Sequence, residues 1–198
     1  MIKVILTDIG QVLTRSRSRG FANELFAKYD VDVNKSLDLL NECTTHEYEC
    51  GKESTDVFLN RLVNKLKLNI SLEELKRMLL IGNEIDSRVL DFYKMLKTEY
   101  GLKIVILSNS NELITADFKN NNNMDFFDLA IFSEEVGLIK PHKEIYECTL
   151  SKLGVKGEEC IFIDDKKENI DAAVSLGIKG VIYSGDFDEM KKVVYSLL

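Results

Sequence analysis

Residues 2–13 read IKVILTDIGQVL. The run 2–7 is apolar, rich in Ile and Val, and lacks the alternation of a strand with one wet face. It therefore reads as a strand buried on both sides within a parallel sheet. The run stops at an acidic residue, Asp8. Similar runs follow at 102–108 (LKIVILS), 128–133 (DLAIFS), 160–164 (CIFID) and 178–183 (IKGVIY). Between the later runs lie two helical patterns. Residues 143–153 have apolar positions at Ile145, Tyr146, Leu150 and Leu153 and are closed by Gly154, and residues 167–176 are closed by Gly177. This alternation specifies an α/β fold, a doubly wound parallel sheet with right-handed crossovers.

The rhythm breaks between the first and second runs. Residues 14–88 read as helices throughout, at 21–29, 35–43, 55–66 and 71–80. Ser54 and Ser71 open the last two, with Glu74 placed to complete a capping box. A crossover needs one helix, and 87–100 supplies it. The surplus helices are expected to form a small bundle inserted after the first strand, dividing the chain into an α/β core (1–14 and 87–198) and a helical insert (15–86). Asn120 to Asn123 reads as a surface loop.

Composition agrees and excludes other classes. At roughly 100–200 residues per domain, 198 residues make one domain, or one domain with a sizeable insertion. A hydrophobic content of 45% is too high for disorder, and a single Pro excludes a Pro-rich or collagen-like chain. The opening MIKVILTDIG is too short in apolar character for a signal h-region or a membrane span, so a soluble cytoplasmic protein without a membrane partner is expected. A net charge of −7 argues against nucleic acid as a partner. Cys43, Cys50, Cys148 and Cys160 form no CxxC, so they read as reduced structural thiols.

In open parallel sheets, ligands bind beyond the carboxyl ends of the strands. Those ends carry Asp8, then Ser108 and Asn109, then Ser133 followed by Lys140, then Asp164 and Asp165. Carboxylates, hydroxyls and one ammonium converging on a crevice suit phosphoryl transfer: a carboxylate nucleophile, a divalent cation held by further carboxylates, and donors for phosphate oxygens.

The segments VILTDIGQVL, VILSNSN, GLIKPHKEIY and FIDDKKENIDAA, in this order and with a helical insertion after the first, resemble the haloacid dehalogenase-like superfamily, in the subgroup with a helical cap. The resemblance spans essentially the whole chain and implies a Rossmann-type core with an inserted cap. It implies Asp8 as the nucleophile that becomes an aspartyl phosphate, Ser108 and Asn109 as phosphate-holding groups, and Lys140 as the cation shared by nucleophile and phosphate. Mg²⁺ is the implied cofactor, held by Asp8, the Gly10 carbonyl, Asp164 and Asp165. Asp165 is the expected direct ligand, Asp164 a second or water-mediated one, and Asn169 a support for their loop. Two adjacent carboxylates repel each other without a cation, so charge also favours the metal.

One departure matters. Phosphatases of the family commonly carry a second Asp two residues after the nucleophile as general acid/base, and here that position is Gly10. Losing such a group forfeits about 10²–10⁴ in rate. Gln11, which can orient water but not titrate, and His46 or Glu47 of the cap are the candidate substitutes. The cap is expected to set specificity. Arg15, Arg17 and Arg19 in the linker TRSRSRG are placed so that one or two can hold a substrate anion, and Arg15 and His46 are the expected substrate-binding residues of this region. His142 reads as merely exposed.

The sequence thus supports a Mg²⁺-dependent phosphatase of a small phosphorylated metabolite, a sugar phosphate being the natural class, as a monomer or homodimer. Two other readings stand beside it: a binding or regulatory protein that kept the fold but lost turnover at Gly10, and a 2-haloacid dehalogenase. The acidic pair and the lack of an aromatic residue at position 10 argue against the last.

Overall fold

The computed structural model describes residues 1–198. Its five strands, β1 (Val4–Thr7), β2 (Lys103–Ser108), β3 (Leu129–Phe132), β4 (Cys160–Asp164) and β5 (Lys179–Ile182), form one sheet in the order β3-β2-β1-β4-β5. Every pairing is parallel. Ile5 faces one apolar layer and Val4 and Leu6 face the other, which explains why the first run has no polar alternation.

Helices α6 (Ser87–Tyr100), α7 (Glu112–Asn121) and α11 (Phe187–Leu197) contribute Phe92, Phe118 and Met190 to the Ile5 side. On the opposite side, α9 (Lys143–Leu153) and α10 (Lys167–Val174) contribute Ile145 and Ile170. Thr7 pairs with Ile106 on one side and with Ile163 on the other, so the carboxyl ends of the three central strands finish level. Strand order reverses between β1 and β4, the switch point where such sheets open a crevice.

Between β1 and β2 the chain builds α1 (Arg17–Tyr29), α2 (Val33–Cys43), α3 (His46–Glu49), α4 (Thr55–Leu66) and α5 (Leu72–Leu79). These helices share their own apolar centre, made by Phe21, Leu25, Tyr48, Phe58, Leu62, Leu75 and Met78. The Ser54 and Ser71 hydroxyls accept from the N–H groups of Val57 and Glu74, as helix caps do. The Glu74 carboxylate does not return to Ser71; it accepts instead from Tyr29 and Lys28, leaving the capping box half made.

Three local expectations need correction. TRSRSRG is not a free linker, because Ser16 caps α1 and places Arg17 and Arg19 in its first turn. Asn120 and Asn121 finish α7 rather than lying in a loop. The short α3 and α8 (Ser133–Val136) lie where no helix was expected. No helix is long and apolar enough to cross a membrane.

Candidate active site

The level strand ends bring Asp8 and Asp164 to the two sides of Lys140. The Lys140 ammonium donates to Asp8 Oδ1 at 2.8 Å and to Asp164 Oδ2 at 2.6 Å, with all three residues buried. Burial opposes a charge on Lys140, but the two carboxylates outweigh it and hold the ammonium above the usual lysine range. Asn109 fixes the lysine's backbone: its amide donates to the Lys140 carbonyl at 2.9 Å and its oxygen accepts from the Lys140 N–H at 2.8 Å. Residues 132 positions apart along the chain are thereby locked into one unit.

The adjacent carboxylates Asp164 and Asp165 have different surroundings. Asp164 accepts from Lys140, from the Lys166 N–H at 2.8 Å and from the Asn169 amide at 2.9 Å, so its oxygens are engaged. Asp165 turns into the cavity and takes one hydrogen bond from the Gln11 amide. Burial, and then the like charges of Asp8 and Asp164, push its carboxyl up to about 6. Ligand atoms of Asp8, Asp164 and Asp165 all lie within 4.8 Å of one another. Crowded, under-neutralised hard oxygen donors of this kind fit a divalent cation such as Mg²⁺.

After Asp8 the chain makes one wide turn, in which the Thr14 N–H donates to the Ile9 carbonyl at 2.9 Å and Gln11 adopts φ +62°. Gly10 itself has φ −63°, open to any residue. A Cβ there would sit 3.6 Å from Asp8 Oδ2 and 3.8 Å from an Arg17 nitrogen, both ordinary contacts. The fold therefore does not impose glycine at the position that lacks the acid. Ser108 is buried at the end of β2 and its hydroxyl donates to the Asn109 carbonyl at 3.3 Å. Asn109, Ser110 and Asn111 line the cavity beyond it.

The cavity, about 220 Å³, lies between these strand ends and the helical bundle. From the bundle side Arg17 and Glu49 face it. Arg17 donates to Asn83 at 3.0 Å, and Asn83 in turn donates to Asp117 at 2.6 Å, so a relay from α7 holds the guanidinium beside Gly10. Burial lowers Arg17 from its usual value, opposed by Asp8 and Asp117. Glu49 is half-buried, and burial pushes its carboxyl up.

The other bundle candidates are elsewhere. Arg15 is exposed and lines a separate depression with Glu84, Asp86 and Arg88. His46 and Glu47 are exposed and do not line the cavity. His46 lies 3.6 Å from Cys50 Sγ, with the exposed His142 ring 5.9 Å away. Of the arginines offered by the sequence, Arg17 lines the cavity and Arg15 does not; of the α3 residues, Tyr48 and Glu49 line it and His46 and Glu47 do not.

A family model described as haloacid dehalogenase-like hydrolase matches residues 2–177. The chain belongs to the haloacid dehalogenase-like hydrolases. It is 30% identical over 189 residues to a D-ribitol-5-phosphate phosphatase of Bacteroides thetaiotaomicron, covering 90% of each chain. The hydrolase also shares its fold with a family enzyme of that organism crystallised with magnesium and inorganic phosphate (TM-score 0.73, 23% identity, 96% of this chain and 99% of that one). An L-2-haloacid dehalogenase from Xanthobacter autotrophicus has the same fold at a TM-score of 0.71 and 19% identity, covering 98% of this chain and 83% of the other.

Proposed function

We propose that the hydrolase is a Mg²⁺-dependent phosphatase of small phosphorylated metabolites, with a sugar or sugar-alcohol phosphate as substrate class. The observation that carries this reading is the buried Asp8–Lys140–Asp164 unit beside an under-neutralised Asp165. The cavity volume of about 220 Å³ is below the roughly 300–1,000 Å³ of drug-sized pockets and suits a small ester. The similarity to a ribitol-phosphate phosphatase over most of both chains points to the same class.

In this reading Asp8 attacks phosphorus and carries the phosphoryl group as an acyl phosphate, which water then hydrolyses. Lys140 orients Asp8 and offsets charge on the phosphoryl oxygens. Asp8, Asp165 and the Gly10 carbonyl would hold Mg²⁺, with Asp164 fixing the lysine and the loop behind them. When bound, the ion supplies neutralisation of the phosphate dianion. Ser108 and Asn109 form the phosphate-facing end of β2, and Arg17 adds a fixed cation on the bundle side.

The test is phosphate release from a panel of sugar and sugar-alcohol phosphates, with Mg²⁺ and with EDTA. Turnover that needs Mg²⁺ supports the assignment, and none on any member at high enzyme concentration overturns it. A metal-free dehalogenase has no use for Asp165 in the cavity, so the site favours the phosphatase.

A further inference from the structure

A phosphate monoester of an aliphatic alcohol needs a proton on its departing oxygen, and Gly10 has none to give. Among the carboxyl groups facing the cavity, Asp165 is engaged by Gln11 and belongs to the cation site, and Asp8 is the nucleophile. Glu49 remains. Its carboxylate makes no hydrogen bond or ion pair within the chain, whereas its backbone is pinned against the core. The Tyr48 hydroxyl donates to Asn111 at 3.1 Å, and the Glu49 carbonyl accepts from the Ser133 hydroxyl at 2.6 Å. Gly51, at φ +68°, passes so close to the Glu134 carbonyl that a Cβ would lie 2.3 Å from its oxygen. These successive anchors hold α3 on α8 and at the start of α7. A titratable side chain without a partner, carried on a fully anchored turn and directed into a reaction cavity, is placed as a reagent rather than as a support.

We propose that Glu49 is the proton donor to the leaving-group oxygen, and afterwards the base that accepts a proton from the attacking water. The inference rests on the phosphatase reading and assigns the function missing at Gly10. In the first step an Asp8 oxygen bonds to phosphorus and the ester P–O bond breaks. Its electron pair goes to the departing oxygen, which takes the Glu49 proton and leaves as a neutral alcohol. In the second step water adds to phosphorus as Glu49 takes its proton. The bond from phosphorus to the Asp8 oxygen then breaks, returning the carboxylate, free phosphate and a protonated Glu49.

The charges facing Glu49 are Lys166, Lys140 and Asp8 from the core and His46 from its own helix. Lys166, His46 and Lys140 favour the ionised form and Asp8 the protonated one, and burial is the largest influence, so the carboxyl is raised above the usual glutamate range. Because the donor must be protonated, the rate of the first step falls as pH rises through the Glu49 pKa.

The test is single-turnover alcohol release, with enzyme and Mg²⁺ in excess, for wild type and Glu49→Gln. One substrate is the best alkyl phosphate of the panel, and the other is p-nitrophenyl phosphate, whose leaving group departs without a proton. The expected loss is about 10²-fold or more on the alkyl ester, at least about tenfold greater than on the nitrophenyl ester, with the alkaline fall in rate absent from the variant. Equal losses on both esters, no loss on the alkyl ester, or an unchanged pH profile overturns the proposal. A fast nitrophenyl burst in the variant also shows that the site is folded. Wild-type enzyme inactive on both esters overturns the phosphatase reading, and the proposal with it.

Discussion

On the sheet side of the cavity Asp8, Lys140 and Asp164 are buried, with the lysine paired to both acids and its backbone clamped by Asn109. On the bundle side Glu49 and Arg17 are half-buried; the first carboxylate is unpartnered and the guanidinium keeps an edge beside Gly10. The sheet side spends its charges on one another and so presents a rigid, preorganised cradle, useful for stabilising the same phosphoryl group in any substrate. In the proposed reaction the bundle side leaves groups available for whatever differs between substrates, the leaving group and its proton.

The largest break in this comparison comes from Lys140→Met. Removing the cation between two buried carboxylates leaves uncompensated charge, which costs roughly 3–5 kcal/mol. Urea titration in EDTA should show a much lower midpoint, and activity should vanish. An unchanged midpoint would mean that the sheet side is not held by charge.

Arg17→Ala comes next. Loss of a charge-assisted contact to the substrate of about 1.5–3 kcal/mol corresponds to roughly 10–100-fold in kcat/KM. Arg15→Ala and His46→Ala, outside the cavity, should change kcat/KM little. Equal effects at Arg15 and Arg17 would erase the distinction between the two arginines.

Gly51→Ala has the smallest expected effect. Placing a non-glycine residue at φ +68° costs about 1–3 kcal/mol, and the clash with the Glu134 carbonyl must move α3. A lower Tm, with kcat falling more than KM changes, is the expected outcome, since Glu49 moves with the turn. A lower Tm without a change in kcat would uncouple the anchored turn from catalysis.

The same division explains what was legible in the sequence. Asp8, Ser108, Asp164 and Asp165 sit at or just beyond apolar strands whose Ile/Val content announces them, with Lys140 following β3 across the short α8, and parallel register brings the central strand ends level. The insertion was equally visible, because helix-period residues interrupt the strand–helix rhythm. The orientation of single bundle side chains was not. Arg15 and Arg17 differ by two positions in an arginine-rich stretch, and what separates them is the Ser16 cap together with the Asn83–Asp117 relay, which comes from residues far along the chain. His46, Glu47 and Glu49 share one helical turn, and which of them faces the cavity depends on how Ser133 and Glu134 of α8 receive that turn. Neither is a local property of the sequence.

The central claim is that Asp8 carries the phosphoryl group, and it is tested most directly by acid-quenching the enzyme during turnover with Mg²⁺ and mapping its peptides by mass spectrometry. The peptide containing Asp8 should carry one phosphoryl group, chased away when turnover completes and absent from Asp8→Asn, which should also lose on the order of 10⁴-fold or more in rate. Turnover with no modified Asp8 peptide, or with Asp8→Asn retaining the wild-type rate, would contradict it.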